Sequence, residues 1–255
     1  MDDGKKLKDP DCSDAACCFY IIMWGDFLKN TGFRPRPKLV CHAEKPKVKC
    51  PSEVPKKYVQ GDWMCSVWTT LKRGLELTYE NKNAGKKLWE QEPYMSSLSS
   101  TKGVTKRTYA EILNHFEDFR EVLENATLQE FIKSAYTFAN LIIVPDGFNV
   151  ARSRPTDDYW DETLKRYFNN RKPLKRKPKN GDEIDFGTPF RKLVEKSRNG
   201  SDSLFLDEWL DKDNKSIPLP NKEPTTLDEW HDLVREMTRR IDNRREQMRD
   251  ELMKR

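Results

Sequence analysis

The chain has 255 residues, 35% charged and 36% apolar, with a formal net charge of +5. That length can bury a sizeable core, and seven Trp, eight Tyr and twelve Phe add large apolar area per residue. The mixed sign of the charge excludes a one-sided disordered polyelectrolyte. The longest apolar run, Ala15 to Trp24, is ten residues, half of the roughly 20 that a membrane-spanning helix needs.

That run predicts a first helix from a Ser13 cap to about Asn30, with Cys17, Ile21, Trp24 and Leu28 at helical spacing. A mixed-sign leader (Asp2, Asp3, Lys5, Lys6, Lys8, Asp9, Asp11) precedes it, and Gly25-Asp26-Phe27 follows Trp24. Both fit a buried helix rather than a signal peptide, so the expected compartment is the cytoplasm, with reduced thiols. Cys12, Cys17 and Cys18 read as small hydrophobes. Cys41, His42, Cys50 and Cys65 lack the close Cys-x-x-Cys pairing of zinc sites, so no metal is assigned.

Residues 31–60 read as an extended, Pro/Lys-rich segment, because Pro35, Pro37, Pro46, Pro51 and Pro55 forbid a long helix. Between positions 29 and 57, Lys29, Arg34, Arg36, Lys38, Lys45, Lys47, Lys49, Lys56 and Lys57 face only Glu44 and Glu53. Met64–Leu71 and Leu75–Tyr79 are β-branched and aromatic around Lys72-Arg73-Gly74, which predicts a hairpin near 62–80.

A helical body follows. Tyr109, Ile112, Leu113, Phe116, Phe119 and Leu123 line one helix. Leu128, Phe131, Ile132, Ala135, Phe138, Ala139, Ile142 and Ile143 line the next, with Thr127 and Glu130 as its capping box. The short Asn125-Ala126 connection makes them an αα-hairpin, stopped by Pro145-Asp146-Gly147. A third helix spans Asp157 to Asn169, with Trp160, Leu164, Tyr167 and Phe168 inward.

Thr226 to Arg255 predicts the longest helix, capped by Thr226 and Glu229. Its seam is Leu227, Trp230, Val234, Met237, Ile241, Met248 and Leu252. Its eight acids balance its eight bases, which suits packing against protein better than phosphate binding. Beyond Ile241 the seam meets Arg244 and Arg245, so the terminal turns are expected to be available to a protein partner.

The strongest functional signal is Lys165 to Lys179. It holds Lys165, Arg166, Arg171, Lys172, Lys175, Arg176, Lys177 and Lys179 and no acid, in a chain otherwise net negative. The cluster starts on the third helix and continues into a basic loop over 171–185. Such a concentration attracts phosphate backbones or acidic proteins. Tyr167, Phe168 and Asn169 interleave with it and offer stacking and hydrogen bonds to nucleic acid.

Catalytic signals are sparse. His42, His115 and His231 have no nucleophile motif beside them, and no P-loop, dinucleotide fingerprint or EF-hand occurs. Asp62 with Glu80-Asn81-Lys82 could serve a metal-dependent nuclease, in which carboxylates hold Mg²⁺ and a lysine steadies hydroxide. A charged loop is the simpler reading, and the sequence points away from an enzyme and from any cofactor.

Three stretches carry a resemblance. They are Ser134–Pro145, then Gly147-Phe148-Asn149-Val150-Ala151-Arg152, then Asp158–Leu164 with Arg166-Tyr167-Phe168. Together they resemble an uncharacterised family of bacterial proteins of unknown function, mainly over residues 130–170. The resemblance implies a bacterial, cytoplasmic, mostly helical protein and supplies no activity. Phe138-Ala139 stands where that family shows Ile-Gly. The shared turn makes Asn149, Arg152, Arg154, Asp158 and Asp161 a polar pocket candidate, against the simpler reading of helix capping and an Arg–Asp brace.

The expectation is a single domain over 1–255, mainly α (α+β), with a small β-hairpin near 62–80 and a long C-terminal helix. The leading function is a cytoplasmic bacterial or mobile-element binding protein whose basic surface contacts nucleic acid or a nucleoprotein. The alternatives are a protein-interaction module acting through residues 226–255 and a metal-dependent nuclease. No membrane partner is expected.

Overall fold

A computed structural model describes residues 14–35, 58–80, 120–152, 159–177, 182–199 and 203–254. The protein is mainly helical, with small sheets and a long C-terminal helix, Leu227–Met253. No helix among the described residues is long and apolar enough to cross a membrane. Contacts divide the chain into two compact units.

Within Cys65–Thr137 and Leu219–Asp242, the first unit, the principal described helices are Val67–Thr78, Ala126–Ala135 and the start of the final helix. The hairpin expected near 62–80 is corrected here: Val67–Thr78 is α-helical. The Ser66 hydroxyl accepts from the Thr69 amide at 3.1 Å and caps it. Thr70, Leu71, Gly74 and Leu75 are buried at helical, not alternating, spacing. Gly74 is no turn; it makes room for the Trp230 indole, and a Cβ there would lie 2.5 Å from that ring. Packing against one tryptophan thus overrides the local β preference.

Ala126–Ala135 buries Leu128, Phe131, Ile132, Ser134 and Ala135. Its cap is Asn125, whose Oδ1 accepts from the Leu128 amide at 3.2 Å, and not the expected Thr127–Glu130 box. Of the preceding helix, only Arg120–Leu123 lies among the described residues. On the final helix the Glu229 amide donates to the Thr226 hydroxyl at 3.2 Å, as expected of a capping box. The Glu229 carboxylate reaches back to the Thr225 amide at 2.7 Å. That bond comes first among those holding it below the usual glutamate range.

The second unit, within Asp11–Met64, Phe138–Pro218 and Asn243–Arg255, centres on a three-stranded sheet. Tyr58–Trp63 is its middle strand, parallel to Arg34–Pro35 and antiparallel to Leu141–Pro145, with Asp62 opposite Ile142. The small β element therefore exists, but its antiparallel partner lies some 80 residues away, not across a turn at Gly74. Ile142 and Ile143, expected to end the second helix, belong to this strand. Leu141–Pro145 is buried at every position, and such a continuous apolar run fits a strand or a buried helix equally well by periodicity.

An aromatic cluster packs below the sheet. Phe148 meets Phe190 with centroids 4.3 Å apart and Tyr167 edge-on at 6.0 Å, while Trp160 meets Phe190 at 5.7 Å. The expected Asp157–Asn169 helix is α only over Trp160–Thr163 among the described residues, and then widens to a π-helix, Leu164–Asn169. The wider turn buries Leu164 and Tyr167 together. The unit continues through the hairpin of Lys175–Arg176 and Ile184–Asp185 and the helix Gly187–Arg198.

The end of the final helix belongs to this second unit and is held there at Arg244, just ahead of the terminal turns. Arg244 is fully buried. Its guanidinium donates to the carbonyls of Ala139 at 2.5 Å, Leu141 at 2.7 Å and Leu204 at 3.0 Å, and its Nε to Phe205 at 3.2 Å. Met248 is also buried, whereas Leu227, expected in the seam, is exposed. The long arginine stem and its five donors turn a presumed interruption into an anchor.

Candidate functional site

Six of the eight cluster cations surround the end of the π-helix and the following hairpin as exposed side chains: Lys165, Arg171, Lys172, Lys175, Arg176 and Lys177. Arg166 is half-buried against the Tyr167 ring, 5.7 Å from its centroid. Lys179 lies outside the described residues. The backbone here is tied down. The Asn170 amide donates to the Lys165 carbonyl at 2.9 Å, the Lys172 amide to Arg166 at 3.1 Å and the Phe186 amide to Leu174 at 2.8 Å. A segment read as a loop is therefore a braced scaffold for its charges.

Two cations are paired. Arg171 meets Glu195 at 3.0 Å and Lys175 meets Glu183 at 2.9 Å. The Glu183 hydrogen bond, reinforced by its charge, raises the Lys175 ammonium above the ordinary lysine range. Lys165, Lys172, Arg176 and Lys177 have no ion pair among the described residues. Asp185 is drawn the other way: partial burial opposes ionisation, but hydrogen bonds from Thr188 and Gly187 outweigh it and lower its pKa.

The interleaved residues change role. Tyr167 is buried in the aromatic cluster and cannot present a face to a base. Asn169 uses its amide internally, donating to the Asn214 carbonyl at 2.6 Å and accepting from the Ser216 amide at 2.8 Å. The Asn214 side chain in turn accepts from Arg198 Nε at 2.8 Å. These contacts fix the base of the cluster, leaving Phe168, half-buried, as the remaining interleaved aromatic.

Of the polar pocket candidate, only Asn149, Arg152 and Asp161 are described. Arg154 and Asp158 lie outside the described residues, Asn149 is exposed and Asp161 is buried. Arg152 is buried and bonds Asp62 at 2.5 Å and Thr163 Oγ1 at 2.8 Å, reaching Asn149 only at 3.5 Å. Its guanidinium lies 5.5 Å from the Phe148 and Trp160 ring centroids. An Arg–Asp brace forms, with Asp62 on the sheet as an acid that Arg152 meets. The sequence held both residues, but no local spacing links positions 90 apart.

That brace occupies one carboxylate of the nuclease alternative. Glu80 is exposed at the end of the Val67–Thr78 helix with φ +46°, and Asn81 and Lys82 lie outside the described residues. Among the described residues no group of three or more His, Cys, Asp or Glu could hold a metal ion. Cys41, His42, Cys50 and His115 lie outside them, and Cys65 is buried. His231 Nε2 sits 3.1 Å from the Asn125 amide nitrogen, in a helix-packing role.

No protein-family model matches the chain, and no curated protein or solved structure matches it.

Proposed function

We propose that this is a cytoplasmic, bacterial or mobile-element protein that binds nucleic acid, or a nucleoprotein, through phosphate contacts at Lys165–Lys177. One observation carries the reading: Lys165, Lys172, Arg176 and Lys177 are exposed, without an ion pair among the described residues, on a hydrogen-bonded scaffold. Cations held on fixed backbone lose little freedom when a phosphate arrives, and a local excess of them steers a polyanion. With Tyr167 and Asn169 used internally, the surface positions a backbone and does not read bases. Binding is therefore sequence-independent.

Fluorescence anisotropy with random-sequence DNA and RNA oligonucleotides tests this. Affinity falls steeply and log-linearly with salt, because each phosphate engaged releases counterion. No measurable binding to either at ~50 mM salt overturns the proposal.

A further inference from the structure

The two ion pairs inside the cluster divide its cations into two classes. Arg171 and Glu195 are 71% and 42% exposed, and Lys175 and Glu183 are 51% and 54% exposed, so water reaches both pairs. A phosphate can compete for such a cation, but the carboxylate is tethered beside it at high effective concentration. Neither acid is a stray neighbour. Glu195 is on the Gly187–Arg198 helix, and Glu183 adjoins the strand Ile184–Asp185, which pairs with Lys175–Arg176. The fold thus places one acid from outside the charge run against each of two cations inside it. Arg171 also holds a left-handed backbone, φ +49°, which is costly for a non-glycine residue and fixes where its side chain starts. Lys175 keeps its proton firmly, so what Glu183 changes is its availability and not its charge.

We infer that Glu183 and Glu195 act as built-in competitors for phosphate, keeping Lys175 and Arg171 out of the nucleic-acid contact set. This rests on the nucleic-acid reading above and adds its regulation: the protein engages fewer phosphates than its charge run offers, so binding stays reversible and salt-sensitive. Any modification or partner that draws the two carboxylates away recruits the two reserved cations.

The test measures binding of a random-sequence DNA duplex across a salt series by the full chain, its Glu183→Gln/Glu195→Gln variant, and an Asp182→Asn/Asp213→Asn control. The control changes net charge equally at exposed acids not paired with the cluster. The Gln variant is expected to bind on the order of tenfold tighter at low salt, with a log–log salt slope steeper by about 2, since two further phosphates contribute about 0.9 each. The control keeps the wild-type slope. If wild type binds and the Gln variant shows the same slope, the competitor role is wrong and nucleic-acid binding stands. If neither wild type nor the Gln variant binds, the nucleic-acid reading fails and the inference with it. Matching melting curves confirm that the surface substitutions leave the fold intact.

Discussion

The Asp62 carboxylate and the Arg152 guanidinium meet at 2.5 Å, with side chains only 3% and 1% exposed. Between them they tie the middle strand of the sheet to the end of the short helix Phe148–Ala151, and Thr163 extends the tie to the Trp160 helix.

Removing one member of this pair deprives a buried charge of an opposite-charge partner. Arg152→Met is expected to lose about 3–5 kcal/mol, whereas Asp62→Leu with Arg152→Met recovers much of that, because two apolar side chains need no solvation. Urea denaturation of the two single variants and the double variant reads the coupling. Additive losses would show that the pair is not the unit.

Gly74 sits within a helix, where alanine usually gains about 1 kcal/mol. Here a Cβ would meet the buried Trp230 ring at 2.5 Å and 2.9 Å, and overpacking of that kind costs about 1–3 kcal/mol. The clash wins, so Gly74→Ala lowers the melting temperature. Trp230→Ala costs about 3–5 kcal/mol, as it also frees the Thr70 carbonyl that the indole bonds at 2.9 Å. A stabilised Gly74→Ala protein would mean that Trp230 packs elsewhere.

Arg244 holds carbonyls from two separated stretches, including that of Phe205, whose φ of +55° is strained for a bulky residue. Arg244→Leu is expected to cost about 3 kcal/mol or more, since several buried acceptors lose a charged donor. Deletion of residues 245–255 removes the buried Met248 and lowers the melting temperature measurably. Truncation without thermal effect would return those turns to the status of a free docking surface.

Glu236 accepts from Arg239 and Arg240, and these hydrogen bonds, led by Arg239, bring its pKa down to about 2 against partial burial. A depressed carboxylate contributes stability above its unfolded value and loses it as pH falls through the folded one. The stability gap between wild type and Glu236→Gln should therefore shrink as pH drops from about 4.5 towards 2, modestly, because solvent screens the pair. A gap that stays constant over that window would show that the hydrogen bonds do not form in solution.

Local signals were legible where the physics is local. The Thr226 cap, the long final helix and the stripe from Leu128 to Ala135 follow from periodicity and capping within a few residues. Errors arose where a distant partner decides. The β-rich run at Val67–Thr78 is helical because Trp230 lies on Gly74, and Ile142-Ile143 form a strand because Asp62 and Gly61 pair with them. The π-helix at Leu164–Asn169 follows from packing Tyr167 against Phe148, which no spacing announces. The basic run was plain in the composition, but which of its cations are paired depended on Glu183 and Glu195, the latter 24 residues from Arg171.

The proposed binding rests on the exposed cations without an ion pair among the described residues. Binding of a random-sequence duplex and of single strands at ~50 mM salt should be measured for wild type and for Lys165→Glu/Lys172→Glu/Arg176→Glu/Lys177→Glu, after matched melting curves. Wild type is expected to bind all probes with a steep salt slope, and the variant to lose binding by at least a hundredfold. A folded variant that binds as tightly as wild type would rule out phosphate binding at these four cations.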